Sequence, residues 1–316
     1  MRVLVTGAAG FIGSHLSRRL VADGHDVVGL DDLSDGSLDN LADVPEVRFI
    51  EGDLLDEPMV GDAASGCDVI LHQGALRSVP RSMAQPARTT DVNVRGTLNV
   101  LLAARDHSAR VVFASSSSVY GDQDRFPLQE DFSPKPRSPY AASKLAGEVY
   151  CEAWRCAYGV PTVALRYFNV YGPGQDPENE YAAVVPRFVL ACLTGGRPEI
   201  HGDGEQARDF TYIDDVVSAN LLAARAPEEA WGRVLNVGGG QAPTSVNEVL
   251  SLVAGFTQSE PEPVHTPPRE GDVRWTEADV SLARSLIGYD PSTSIEEGLR
   301  RTVDWFRDQP GASQGA

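Results

Sequence analysis

Along the first half of the chain, short runs rich in Val, Leu and Ile alternate with longer segments in which apolar residues recur at helical spacing. Val3–Thr6, Asp26–Leu30, Val47–Ile50, Asp68–His72, Arg110–Ala114 and Val163–Asn169 read as strands. Ser14–Ala22, Val92–Ala104 and Tyr140–Tyr158 read as helices. Strands without a polar face belong to a sheet covered on both sides, and strands alternating with helices make that sheet parallel. The expected fold class is α/β, a doubly wound parallel sheet. After Asn169 the pattern loosens into Gly172-Pro173-Gly174, Gly195-Gly196-Arg197-Pro198 and Gly238-Gly239-Gly240, with a smaller mixed lobe between them. The division expected is 1–170 plus about 207–237 for the sheet, 171–206 plus about 238–307 for the lobe, and a flexible tail over 308–316.

Charge narrows the choice of partners. Lys and Arg number 27 against 45 Asp and Glu, a formal net charge of −18. Such a molecule repels nucleic acid and anionic membrane surfaces, so neither is an expected partner. The chain runs from Met1-Arg2 straight into an apolar run, which leaves no room for a signal peptide, and no apolar stretch is long enough to span a bilayer. A cytoplasmic location follows as the expectation. Cys67, Cys151, Cys156 and Cys192 lack any paired spacing and read as small buried hydrophobes. The six histidines are scattered without metal-ligand spacing, and no metal is expected.

Two clusters carry chemistry. In the first, Val3-Leu4-Val5-Thr6 leads through Gly7, Gly10 and Gly13 into a helix that begins near Ile12, with Phe11 beside it. Glycines there allow a tight turn and close approach of a pyrophosphate, which the helix N-terminus attracts through its free N–H groups. The second strand ends at Asp31-Asp32, where a carboxylate accepts ribose hydroxyls and repels a 2′-phosphate, so NAD is expected over NADP. Asp31 is the first candidate, with Asp32 a second ribose contact or a loop residue. Asp53, followed by Leu54, ends the third strand and reads equally as an adenine contact or a helix cap. In the second cluster, Tyr140 and Lys144 lie one helical turn apart, close enough for an ammonium to ease ionisation of the phenol. Upstream, the strand through Phe113 delivers Ser115-Ser116-Ser117-Ser118 to the edge where parallel sheets bind ligands. A turn held by its own hydroxyls is the other reading of that run.

With these parts in this order, the sequence resembles the extended short-chain dehydrogenase/reductases, specifically the NAD-dependent UDP-sugar 4-epimerases, from Met1 to about Arg307. The motifs that carry the likeness are TGAAGFIG at 6–13, DDLS at 31–34, GDLLD at 52–56, SSSSVYG at 115–121, SPYAASK at 138–144, LRYFNVYGP at 165–173, GDGEQARDFTYIDD at 202–215 and PPREGD at 267–272. The resemblance implies a Rossmann-type fold with a sugar-binding lobe and C4 epimerisation through a transient 4-keto sugar. It implies Tyr140 as acid/base, Lys144 as the cofactor-ribose ligand that lowers the phenol's pKa, and Ser116 as hydroxyl partner, with Ser117 beside the substrate. Asn169, Arg208, Arg269 and Asp272 would hold the UDP. Thr276 aligns with a bulkier Tyr of epimerases confined to UDP-glucose and UDP-galactose, and so implies room for a larger sugar. Arg187 lies in a segment resembling the family's sugar-lining stretch and would face C5, while Arg77 and Arg81 sit in a loop at the site's edge. The helices around Asn93–Arg105 and Ala141–Tyr158 would pair across a two-fold axis into a four-helix homodimer interface. Sugar 4,6-dehydratases and a UDP-glucuronate decarboxylase are the competing readings. Both would want a carboxylate where this chain has Ser117-Ser118. A non-catalytic NAD sensor would have no use for Tyr140, Lys144 and the serines together.

Overall fold

A computed structural model describes residues 1–177, 183–268 and 273–309. Its strands are β1 Arg2–Thr6, β2 Asp26–Asp31, β3 Arg48–Glu51, β4 Val69–His72, β5 Arg110–Ser116, β6 Thr162–Tyr167, β7 Val170–Tyr171, β8 Glu199–His201, β9 Ala207–Arg208, β10 Thr211–Tyr212, β11 Arg233–Val237, β12 Thr244–Ser245 and β13 Val264–Thr266. The helices are α1 Phe11–Ala22, α2 Glu57–Ala64, α3 Val79–Ala84, α4 Pro86–Thr90, α5 Gly96–His107, α6 Pro139–Tyr158, α7 Val184–Thr194, α8 Ile213–Ala224, α9 Val246–Thr257, α10 Ser281–Ile287 and α11 Ile295–Arg307.

Seven strands form one parallel sheet in the order β11-β6-β5-β4-β1-β2-β3. Successive residues alternate between two buried faces, as a strand's period of two requires. Val3, Val5, Val112 and Ala114 join the core shared with α1 and α8; Leu4, Val111 and Phe113 join the one shared with α2, α5 and α6. The doubly wound parallel sheet read from the pattern is the observed fold. β1 and β4 are adjacent, so the strand order reverses beside β1, the place where such sheets open a crevice for ligands.

Beyond β6 the chain leaves the sheet, packs α7 against α9 and α11, and pairs β8 with β13 and β9 with β12. It returns through α8 to lay β11 on the outer side of β6. The lobe has no separate core, because Val185, Phe188, Val249 and Val303 belong to the same buried cluster as Val3 and Val5.

Several expected boundaries move. The strand expected over 163–169 is broken at Asn169, whose φ of +25° turns the chain between β6 and β7. The helix expected from Val92 begins at Gly96, after a wide turn over Asp91–Arg95. In that turn the Asn93 carboxamide bonds outward to both backbone groups of Leu76 and to the Ser143 hydroxyl. Cys156 is exposed on α6, against the expectation that all four cysteines are buried. Among the described residues no helix is long and apolar enough to cross a membrane.

Candidate active site

A cleft of about 1330 Å³ opens along the carboxyl ends of β1, β2, β4, β5 and β6 and extends under the lobe. Gly7, Gly10, Phe11, Ile12 and Gly13 line its floor. Gly13 is required by the fold, since a Cβ there would lie 1.9 Å from the Gly7 carbonyl oxygen. Gly10 is different. A Cβ there meets only the Gly7 oxygen at 3.3 Å, so its bareness serves whatever enters the cleft. Gly10 also begins α1 without a side-chain cap, leaving the first helical N–H groups aimed at the opening.

The acidic residues at the ends of β2 and β3 line the same cleft, and each already holds the backbone. Asp31 accepts from Ala9 N at 2.9 Å and Leu33 N at 2.8 Å, tying the glycine turn to the loop after β2. Burial raises its pKa, and those two hydrogen bonds oppose the rise. Asp32 accepts from the backbone and hydroxyl of Ser34. Asp53 accepts from Leu55 N and pairs with Arg88 at 3.2 Å, while Leu54 is buried beside it. Each carboxylate retains at least one oxygen with a lone pair for a ligand hydroxyl or amine.

Across the cleft, β5 runs two residues further than its apolar pattern suggests and delivers Ser116 to the opening. Ser138 caps α6 by accepting from Ala141 N and Pro139 starts its first turn, which places Tyr140 at the helix entrance. Ser116 stands beside the Tyr140 hydroxyl, and its Oγ accepts from the backbone and hydroxyl of Ser118. Lys144, one turn on, is 4% exposed and directs its ammonium to the Ala114 carbonyl at 2.8 Å. That bond leaves two of its three N–H groups for a ligand. An uncapped helix end, a bare turn at Gly10, carboxylates at the ends of β2 and β3 and a buried ammonium together fit a dinucleotide.

The Lys144 ammonium stands 5.9 Å from the centre of the Tyr140 ring. Burial raises the phenol's pKa; the Ser116 hydrogen bond and the charge of Arg77 pull it back. Lys144 itself is pushed down to about 8 by burial.

At the lobe end, Asn169, Arg208, Thr276 and Ser117 line the cleft. Strained backbone at Asn169 aims a carboxamide that donates to the Asp209 carbonyl at 3.0 Å and to the Thr276 hydroxyl at 3.4 Å. Arg208 directs one N–H to the Ala207 carbonyl. Arg269 and Asp272 lie outside the described residues. Arg187 is not brought to the site: it sits off the cleft wall, paired with Glu199 at 2.8 Å, because α7 turns it towards β8.

Sequence reasoning missed three supporting networks. Gln73 lines the cleft and is held by Tyr167 and Asn220. His72, buried and pushed down to about 3, is neutral; it accepts from Thr6 and donates to Thr97, and Thr6 in turn accepts from Gly74 N. Glu148, two turns beyond Tyr140, takes Ser115 and a two-pronged bond from Arg166, at 2.9 and 2.8 Å, with both residues about 95% or more buried. Glu148 stands four residues past Lys144, on the same face, and that spacing was the available signal.

A doubly wound sheet with a bare glycine turn at one lip and a Ser–Tyr–Lys constellation at the other defines a dinucleotide-dependent enzyme of the extended short-chain dehydrogenase/reductase type. Comparison with known proteins agrees. Residues 3–238 match the model of the NAD dependent epimerase/dehydratase family. The chain is 43% identical over 315 residues to the UDP-glucose 4-epimerase of Mycolicibacterium smegmatis, covering 98% of this chain and 99% of that one. Its fold superposes on the Thermotoga maritima UDP-glucose 4-epimerase with UDP-glucose at a TM-score of 0.92, with 39% identity and 97% and 99% of the two chains covered. For the Bacillus cereus UDP-glucuronic acid 4-epimerase in complex with UDP-glucuronic acid and NAD, the TM-score is 0.89, with 31% identity and the same coverage. The chain belongs to the NAD dependent epimerase/dehydratase family, so it is an enzyme of the epimerase type and its cofactor is NAD.

Proposed function

We propose that the protein inverts C4 of a UDP-hexose through a transient 4-keto sugar. The observation that carries this reading is Tyr140 beside Ser116 in the wall of the cleft, with Lys144 buried one turn on. NAD, when bound, supplies the acceptor and later the donor of the C4 hydride. Gly7, Gly10, Phe11, Ile12 and Gly13 would cradle its pyrophosphate. Asp31 and Asp32 would take ribose hydroxyls, Asp53 and Leu54 the adenine, and Lys144 the second ribose. Tyr140 removes the proton of the C4 hydroxyl and later returns it, while Ser116 holds that oxygen in place.

Asn169 and Arg208, with Arg269 and Asp272, would fix the UDP, and Ser117 and Thr276 would border a sugar free to present either face. Thr276 is buried with its hydroxyl already engaged, so it stands short of the sugar space a larger side chain would fill. Among the described residues no carboxylate lines the cleft beside Ser117 and Tyr140, which favours inversion over elimination of water, a step that needs an acid beside C6.

The reading includes a sheet part, 1–170 with about 207–237, holding NAD, and a lobe, 171–206 with about 238–307, holding the nucleotide sugar. It also includes a cytoplasmic homodimer that buries α5 and α6 as four helices, supported by Val149 and Tyr158 lying 63% and 53% exposed on α6. The test is Tyr140→Phe, expected to keep its NAD and lower turnover by roughly 10²–10⁴. Products of UDP-glucose, UDP-N-acetylglucosamine and UDP-glucuronate are read by NMR at C4. Near-normal turnover in the variant, or no C4-inverted product from wild type, would overturn the assignment.

A further inference from the structure

Arg77 differs from the paired arginines around the cleft. Nearby, Arg81 is paired with Asp35, Arg88 with Asp53, Arg137 with Asp122 and Arg187 with Glu199. Arg77 makes no ion pair among the described residues, although the chain carries 45 acidic residues and a net charge of −18. The backbone on either side of it is fixed. Leu76 is held through both backbone groups by Asn93, and Ser78, at a φ of +98°, starts α3 by accepting from Arg81 N. A non-glycine residue at such a φ is uncommon and persists where its surroundings hold it. The launch point of the Arg77 side chain is therefore set, and the exposed residue lines the same cleft as Ser116 and Tyr140.

The acidic residues of the cleft are elsewhere. Asp31, Asp32, Asp35 and Asp53 gather around the ends of β2 and β3, and Glu199 lies at the far end on β8. Around Tyr140 the balance of charge among the described residues is positive, with Arg77 and Lys144 facing no carboxylate. Tyr140 marks the place of the C4 hydroxyl in the reading above, on which this inference rests. The neighbouring ring carbons bear a hydroxyl at C3 and either a hydroxymethyl or a carboxylate at C5. Arg77 follows Leu76, which Asn93 ties to Ser143 on the first turn of α6, so it stands at the cleft wall beside Tyr140 and beside the substituents of a ring held there. Of the three, a carboxylate matches the planar guanidinium fork, forms a charge-assisted pair and fills the vacancy in local charge.

We propose that Arg77 is a specificity-determining residue that receives the C5 carboxylate of a UDP-hexuronate, so that the enzyme acts on uronates as well as, or in preference to, neutral UDP-hexoses. This gives the guanidinium a role that the sequence reading had offered to Arg187.

The experiment compares wild type, Arg77→Ala and Arg77→Lys on UDP-glucuronate and UDP-glucose, reading the ratio of the two kcat/KM values, together with equilibrium binding of each nucleotide sugar to the NAD-loaded enzyme. A shared effect of Arg77 on Tyr140 or on the diphosphate cancels in the ratio. The expected result is a uronate-to-glucose ratio lowered roughly 10- to 100-fold in Arg77→Ala and partly restored in Arg77→Lys, with the same selectivity in binding. An unchanged ratio would overturn the proposal, as would a wild type that inverts UDP-glucose and leaves UDP-glucuronate untouched. Wild type that inverts neither sugar sinks the epimerase reading instead, and the binding arm then decides the role of Arg77 alone.

Discussion

Single residues in this cleft serve structure and ligand at once, and Asp31 shows how the two separate. Its carboxylate spans Ala9 N and Leu33 N, so Asp31→Asn removes one of two acceptors and turns an amide donor towards a backbone N–H. The variant is expected to lose about 1–3 kcal/mol of stability. It should also narrow the preference for NAD over NADP, because the charge opposed to a 2′-phosphate is gone. Chemical denaturation and cofactor titration measure the two effects, and a variant that changes neither would remove Asp31 from both roles. Asp209 gives the pH dependence. Its carboxyl accepts from Gly239 N and Ala278 N, and burial pushes it up to about 6. An acid whose folded pKa lies above its unfolded value favours folding most below about pH 4, and that contribution is lost as pH rises through about 6. The difference in stability between wild type and Asp209→Asn should therefore drift between pH 4 and 6 and level off above. A difference that is flat from pH 4 to 7 would show that this carboxyl does not titrate there.

At the scale of elements, the register of α6 against β5 and β6 decides whether Tyr140, Lys144 and Ser116 meet. Ser115 and Arg166 are neighbours across the β5–β6 pair, and Glu148 grips both from α6. The guanidinium of Arg166 also lies over the Tyr120 ring, and Glu148 keeps it charged despite burial. Glu148→Ala would strand a buried cation and is expected to cost about 3–5 kcal/mol. A urea unfolding midpoint close to that of wild type would show that the pair is no clamp. The elements that carry chemistry were largely legible in the sequence, because the strand–glycine–helix unit and the Tyr140/Lys144 spacing are local signals. What stayed hidden was set by partners distant in sequence. The break at Asn169 depends on Asp209 and Thr276, the late start of α5 on Leu76 and Ser143, and the diversion of Arg187 on Glu199.

For the whole molecule, alternation of strand and helix gave the sheet correctly, while the lobe was visible only as a loosening of pattern. Its helices bury their apolar faces partly in the core of the sheet, so no linker composition marks where it begins. The placement of β11 has a consequence for synthesis. Strands β1 to β6 come from the first 167 residues, but the strand that covers the outer side of β6 is made only after the lobe's first helix and the strands that follow it. Until Arg233–Val237 leaves the ribosome, β6 offers an open edge, and all six of its residues are ones that the finished molecule hides from water. A growing or truncated chain that stops short of β11 thus carries a sticky border able to pair with another such chain, which makes the last strand to join the sheet also the one that keeps newly made copies apart.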